Sequence, residues 1–277
     1  MSKVWFITGC STGFGRNLAK KVLLKGYKAV VTSRKKEDVL DITSNYPETA
    51  LALQLDVTKK EEITAAVAAA VNHFGTIDVL VNNAGIGYFG AIEESEEEEV
   101  RRMFEINVFG LGKMTTAVLP IMRKQKSGHI LNVASIGGLV SFPAVGYYNA
   151  TKYAVDGLSE SLAKEVAHLG IKVTIIAPSG FRTDWAGRSA KNSSIVIDDY
   201  APSAHQNKNN IRGYSGNQPG DPERAAKAII KAVESEHPPL RLLLGVAALK
   251  NARLKLEQLK TDFDNWEATT IGADFPA

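Results

Sequence analysis

The chain has 277 residues, 44% hydrophobic and 23% charged, an ordinary balance for a globular protein with ample length for a buried core. Its 33 Lys and Arg against 30 Asp and Glu leave a net charge of +3, scattered rather than striped, so no nucleic-acid partner is expected. One cysteine excludes an internal disulfide and a cysteine-based metal site. The five histidines (73, 129, 168, 205 and 237) lack ligand spacing, so no metal is expected. Nothing approaches the ~18 apolar residues of a membrane span. The first ten residues do not read as a signal peptide, and the expectation is a cytoplasmic protein with no membrane partner.

In chain order, short hydrophobic runs recur at 4–8, 29–33, 50–57, 79–84, 129–135, 172–178 and 240–245. They are nearly continuous, as in strands buried on both faces of a parallel sheet. Helical spacing fills the gaps. Leu18, Val22 and Leu23 recur on one face and stop at Gly26, and the alanine-rich stretch 60–75 stops at Gly75. The alternation predicts a doubly wound α/β fold of about seven parallel strands, one Rossmann-type domain over 1–245, with ligands at the carboxyl ends of the strands.

Three stretches stand apart. In the acidic run 93–99, Ser95 and Glu98 have capping-box spacing, which predicts a solvated helix start. Residues 181–220 are rich in Asn, Ser and Gly, and their aromatic members Phe181, Trp185, Tyr200 and Tyr214 predict a substrate lid. The tail, 246–277, is predicted helical. Its Leu249, Ala252, Leu256, Leu259, Phe263 and Trp266 alternate three and four apart, which suits either a seam between copies or packing on its own domain.

The first strand runs into a loop, Gly9-Cys10-Ser11-Thr12-Gly13-Phe14-Gly15, that has two readings. As G-x-S-x-G it is a hydrolase nucleophile elbow; as G-x-x-x-G-x-G it is a phosphate cradle. An elbow needs an upstream oxyanion loop and a later acid-paired histidine. Only eight residues precede Gly9, and no later histidine is expected in a glycine-rich or acid-paired context, so the cradle is the expectation. At the start of a helix, free backbone N–H groups and the helix dipole favour phosphate. About twenty residues on, where an acid would meet an NAD ribose, the second strand ends Ser33-Arg34-Lys35-Lys36. A carboxylate would repel a 2′-phosphate whereas Arg34 can hold it, so NADP(H) is the expected cofactor.

Tyr148 and Lys152 lie four apart, on one helix face, with Ser135 ending an earlier strand and Asn107 earlier still. Reducing a carbonyl by hydride needs a proton donor at the oxygen. A nearby ammonium contributes about 4 kcal/mol at ~4 Å, enough to bring a tyrosine from ~10 to near 7. Ser135 is then expected to hold the substrate oxygen.

With these residues and the stretches Thr8–Gly15, Leu55–Thr58, Asn82–Gly85 and Tyr148–Lys152, the chain resembles the short-chain dehydrogenase/reductase family over about 185 residues and the strand at 240–245. The resemblance implies a tetrad of Asn107, Ser135, Tyr148 and Lys152, with Lys152 also holding the nicotinamide ribose and Asn107 supporting a water relay. It implies that Asp56 and Val57 meet the adenine, that Asn83, Ala84 and Gly85 line the adenosine side, and that Pro178, Gly180 and Thr183 meet the carboxamide end. Where the family usually has Pro-Gly, this chain has Pro178-Ser179. The stretch 89–110 is similar to the branch with 17β-hydroxysteroid dehydrogenases.

The expected substrate is a hydrophobic ketone or aldehyde, or the matching alcohol, in a pocket of Tyr88, Phe89, Leu139, Phe142, Val145 and Trp185. The family also implies a homodimer or homotetramer built on the helices containing Asn107 and Tyr148. Rival readings are a non-catalytic NADP(H) sensor, an NAD-dependent alcohol or hydroxysteroid dehydrogenase, and a nucleotide-sugar epimerase or dehydratase. A sensor would be expected to lack Tyr148 or Lys152, and an epimerase to carry a larger substrate domain.

Overall fold

Val4–Ile7, four apolar residues in succession, form β1 in the interior of the sheet. The structure, a computed structural model, describes residues 2–187 and 189–275. Side chains alternate across the strand, so Trp5 and Ile7 face one layer and Phe6 the other. Around β1 lie β2 (Lys28–Ser33), β3 (Ala50–Gln54), β4 (Val79–Asn82), β6 (Gly128–Val133), β7 (Ile171–Pro178) and β9 (Arg241–Leu244), all parallel, in the order β3-β2-β1-β4-β6-β7-β9. A second, two-stranded parallel sheet joins β5 (Gly87–Phe89) to β8 (Ala190–Asn192). The alternation of hydrophobic runs did not foretell that pair.

Helices cover both faces. On one side α1 (Gly13–Leu24) packs against α8 (Pro222–Glu234), burying Leu18, Val22 and Ile229 over Trp5 and Ile7. On the other, α3 (Lys60–Phe74) and α5 (Leu111–Gln125) bury Met114 and Val118 against Phe6 and Leu80. The short α2 (Leu40–Thr43) precedes β3. Helix α4 (Glu97–Phe104) widens into a π-helical stretch, Glu105–Gly110, before α5 begins. The long α6 (Gly146–Val166) follows β6. After β8 come a π-helical stretch (Ala201–His205) and α7 (Gln206–Gly213), and the chain ends in α9 (Val246–Asn265) and α10 (Glu267–Ile271). The sheet order reverses direction between β1 and β4, and there the cleft opens.

The acidic run departs from expectation. Ser95 makes no capping box: its hydroxyl donates to the Ala91 carbonyl at 2.8 Å, and Glu96 precedes α4 with no side-chain cap. The turn before the helix consumes the serine. The helix start itself is solvated, with Glu97 and Glu98 exposed in the first turn of α4, but the run is not solvated throughout, because Glu94 is buried at 1% exposure. It accepts from the backbone N–H of Ala91 (3.0 Å) and Ile197 (2.8 Å), and its Oε1 meets His205 Nε2 at 2.6 Å. Glu93 accepts from the Tyr200 hydroxyl, Glu96 from Ser194, and Glu99 pairs with Lys191. The run is the strip on which residues 191–205 are seated.

Candidate active site

A cleft of about 1660 Å³ opens over the carboxyl ends of β1, β2, β4, β6 and β7. Ligand sites of ~300–1,000 Å³ hold one drug-sized molecule, so this one has room for a dinucleotide and a substrate together. Of the residues expected at a cofactor, Gly9, Ser11, Thr12, Gly13, Phe14, Ser33, Arg34, Asp56, Val57, Asn83, Ala84, Gly85, Tyr148, Lys152, Pro178, Gly180 and Thr183 line it.

Gly15 lies behind that wall, and its role is packing. A Cβ there would sit 2.5 Å from both the Gly9 carbonyl oxygen and Asn83 Nδ2. The loop is held from beneath. Asn83 Nδ2 donates to the carbonyls of Thr8 (2.8 Å) and Gly9 (2.9 Å), and Thr8 Oγ1 accepts from the N–H groups of Asn83 and Ala84. Helix α1 begins there with no side-chain cap and no acid in its first turn. Its unsatisfied N–H groups and positive dipole end suit a pyrophosphate. Arg34 stands exposed at the lip, while Arg16 is spent on Asp41 and the Asp38 carbonyl.

At the other end, Ser179 fits the glycine place of the family pattern because Gly245 stands opposite it. A Cβ on Gly245 would lie 2.5 Å from Ser179 Oγ, and the serine bonds to the Leu244 carbonyl through its N–H (3.0 Å) and hydroxyl (3.3 Å). The aromatic pair Phe14–Phe181, 5.0 Å between centroids, links the cradle to the start of the 181–220 segment.

Ser135, Tyr148 and Lys152 meet at the floor of the cleft. Ser135 ends the β6 run in extended conformation, and its Oγ accepts the Gly137 N–H at 3.0 Å. Tyr148 and Lys152, one turn apart on α6, are 9% and 6% exposed. Lys152 Nζ donates to the Val133 carbonyl at 2.8 Å and lies 5.6 Å from the Tyr148 ring centroid. Asn107 sits behind the wall at 2% exposure, carried by the π-helical turn. Its Oδ1 accepts from Ile86 N–H (2.9 Å), and its Nδ2 donates to the Ile86 carbonyl (2.9 Å) and Thr151 Oγ1 (3.2 Å). Thr151 in turn donates to the Tyr148 carbonyl at 2.7 Å.

The protonation states differ from the expectation of a tyrosine near 7. Burial pushes the Tyr148 hydroxyl up to about 12, with only its hydrogen bond to Ser135 pulling the other way. Burial also pushes Lys152 down to about 8. An ammonium's attraction alone would lower the tyrosine, whereas the cost of burying a phenolate raises it.

The substrate side is corrected in three places. Phe142, Val145 and Trp185 line the cleft, but Tyr88, Phe89 and Leu139 do not. Phe89 is fully buried behind Trp185, ring centroids 5.7 Å apart, and the Tyr88 hydroxyl bonds to Glu96. Strand β5 turns both into a supporting layer. Trp185 itself packs on Tyr148 at 4.8 Å. Sequence reasoning missed the polar contributors Asn207 and Asn210 from α7 and Lys191 from β8. Their only signal was the asparagine-rich 206–210, whose place over the cleft depends on the long-range seating described above. The lining combines the apolar Phe142, Val145 and Trp185 with the polar Lys191, Asn207 and Asn210.

Contrary to the expectation for the histidines, His205 is acid-paired, with Glu94. Neither residue lines the cleft that Ser11 faces, so the pair does not revive a nucleophile at Ser11.

A doubly wound sheet with an uncapped glycine-loop helix at its switch point defines a Rossmann-type α/β protein. Residues 3–194 match the short chain dehydrogenase family. The oxidoreductase BOA17 of Botryotinia fuckeliana is 36% identical over 274 residues, covering 99% of this chain and 100% of that protein. A 3-ketodihydrosphingosine reductase of Bacteroides thetaiotaomicron is 37% identical over 244 residues, 88% of each. Among solved structures, a short-chain dehydrogenase from Streptomyces avermitilis superposes with a TM-score of 0.93 at 41% identity, covering 99% of this chain and 100% of that one. A short-chain dehydrogenase/reductase from Burkholderia phymatum in complex with NAD gives 0.83 at 26% identity, covering 94% and 95%. ElxO with NADP bound gives 0.74 at 29%, covering 90% and 100%. The chain belongs to the short-chain dehydrogenase family, a family of oxidoreductases. Among the described residues no helix is long and apolar enough to cross a membrane.

Proposed function

We propose that the protein is an NADPH-dependent carbonyl reductase that converts a hydrophobic ketone or aldehyde to its alcohol, reversibly. The observation that carries the reading is the meeting of Ser135, Tyr148 and Lys152 on one floor of a cleft that also contains the glycine cradle. The relative named as a reductase of 3-ketodihydrosphingosine supports a keto substrate.

Residues Gly9–Gly15 and the start of α1 hold the pyrophosphate of the cofactor. Ser33 and Arg34 hold the 2′-phosphate, Asp56 and Val57 meet the adenine, and Asn83–Gly85 line the adenosine side. Pro178, Gly180 and Thr183 meet the carboxamide. When bound, the reduced nicotinamide supplies hydride to the carbonyl carbon. Ser135 Oγ donates a hydrogen bond to the carbonyl oxygen and fixes it beside Tyr148. The Tyr148 hydroxyl gives its proton to that oxygen as negative charge develops. With a hydroxyl held up to about 12, Tyr148 is in the donating form throughout the neutral range. Lys152 holds the ribose with Nζ and favours the phenolate that remains. Asn107 is a positioning residue, tying Ile86 to Thr151 beside the tyrosine, next to the proposed water relay.

The segment 181–220 closes over the substrate as a lid. The chain is cytoplasmic and forms a homodimer or homotetramer. Phe109, Tyr153 and Leu158, 56%, 40% and 51% exposed beside the helices of Asn107 and Tyr148, support that surface. The test is a panel of ketones, aldehydes and alcohols followed at 340 nm with NADPH and NADH. Turnover of apolar ketones with NADPH is expected; no turnover of any of them with either cofactor overturns the reading.

A further inference from the structure

The tail leaves its own domain. From Lys260 to Phe275 every residue is exposed; Leu256 and Phe263 stand 67% and 68% in solvent along one side of α9, and Trp266, at the helix's C-cap, stands 64% in solvent. Packing on its own domain does not account for that side, since only its beginning, near Ala248, is buried. The spacing is that of a heptad seam, with Leu249, Leu256 and Phe263 at one core position and Ala252, Leu259 and Trp266 at the other.

We propose that α9 pairs antiparallel with α9 of a second copy of this chain, in the register that sets Leu256 against Leu259 of the partner helix. Size supports the direction. In that register Phe263 faces the small Ala252 and Leu249 faces Trp266, so large meets small. A parallel pairing sets Phe263 on Phe263 and Ala252 on Ala252, crowding one layer and hollowing another.

Charge points the same way. Within α9, parallel helices bring Lys255 beside Lys260, like against like. Antiparallel helices bring Lys255 beside Asp262 twice. They also bring Arg253 near Lys260, the same lysine that faces Lys255 in the parallel pair and that is ion-paired with Asp264 of its own helix, so this contact does not separate the two directions and the Lys255–Asp262 pairs do. Because the seam has fewer than three heptads, this pairing is one arm of the assembly and adds to contacts between the domains. It does not depend on the reaction assigned to the cleft.

The test uses two variants of the full chain, Ala252→Cys and Phe263→Cys, oxidised alone and after co-expression. Cys10 is fully buried and does not compete. In the antiparallel pair the two copies of residue 252 lie about 16 Å apart along the axis, far beyond disulfide reach, whereas 252 and 263 of opposite chains are adjacent. A cross-linked dimer in the co-expressed pair and in neither variant alone is the expected result. Asp262→Lys should lower its yield several-fold, and adding Lys255→Asp should restore it. Cross-linking of each variant with itself, or none in the co-expressed pair, overturns the proposal. Turnover and NADPH affinity of the variants, measured alongside, report separately on the cleft.

Discussion

His205 and Glu94 meet at 2.6 Å although 111 residues separate them in the chain. Burial pushes the Glu94 carboxyl up, but the N–H groups of Ile197 and Ala91 and the His205 ring outweigh it and hold it below the ordinary range. The charged carboxylate is therefore the form that seats the segment 191–205. Its hold is complete above the ordinary glutamate range and fades as the pH falls through the lowered value. Glu94→Gln is expected to raise the KM for a ketone several-fold while NADPH affinity changes less than twofold. Hydrogen exchange of 191–205 should quicken in parallel; unchanged exchange and KM would refute the seating role.

Arg212 collects the other side of the same segment. Its Nη1 donates to the carbonyls of Ala186 (2.9 Å) and Gly187 (2.8 Å), its Nη2 to Ala190 and Asn192, and the guanidinium lies 4.8 Å over the Phe89 ring. Lysine cannot span four acceptors in one plane. Arg212→Lys is thus expected to let Trp185 move off Tyr148, with kcat/KM down roughly tenfold from lost alignment. Tryptophan fluorescence and steady-state kinetics on the variant check this, and a variant with wild-type kcat/KM would dismiss it.

Tyr148→Phe removes one oxygen from a packed ring, so folding and NADPH binding should barely change. Turnover should fall by more than the ~10²–10⁴ of a lost general acid, because the hydroxyl also bonds the substrate oxygen. The two directions separate by pH. In the proposed reaction, reduction uses the neutral hydroxyl, present below about 12, and should be flat from pH 6 until Lys152 begins to discharge near 8. Oxidation uses the phenolate and should still be climbing at pH 9–10. A phenylalanine variant above a tenth of wild-type turnover would assign the proton to another donor.

Arg34→Ala tests cofactor choice. Arg34 lines the cleft next to Ser33 at the end of β2, while Arg16 is engaged by Asp41. The KM for NADPH should rise at least tenfold, and that for NADH less than twofold. Equal effects on both would remove the ground for NADPH preference.

How much of this was legible in sequence depended on the range of the contacts involved. The seven parallel strands and the cluster of Ser135, Tyr148 and Lys152 were readable, because strand burial and an i, i+4 pair are local patterns. Tyr88 and Phe89 were misread as pocket wall, since which layer they join is decided by β5 pairing with β8 a hundred residues on. Glu94 was hidden among its neighbours: nothing local distinguishes the one carboxylate of 93–99 that is fully buried. The tyrosine's protonation was misjudged for the same reason, as its desolvation comes from the rings and backbone packed around it.

Cys10 sits inside the cradle with its thiol against the Ile7 carbonyl, its N–H on the Thr32 carbonyl, and no solvent contact. Burial pushes that thiol up to about 12, so both exposure and ionisation are withheld in the folded chain. Peroxide and alkylating reagents therefore meet no other sulfhydryl and cannot reach this one until the first strand and the glycine loop come apart. The molecule carries its own unfolding reporter: the rate of thiol labelling measures how often the nucleotide cradle opens.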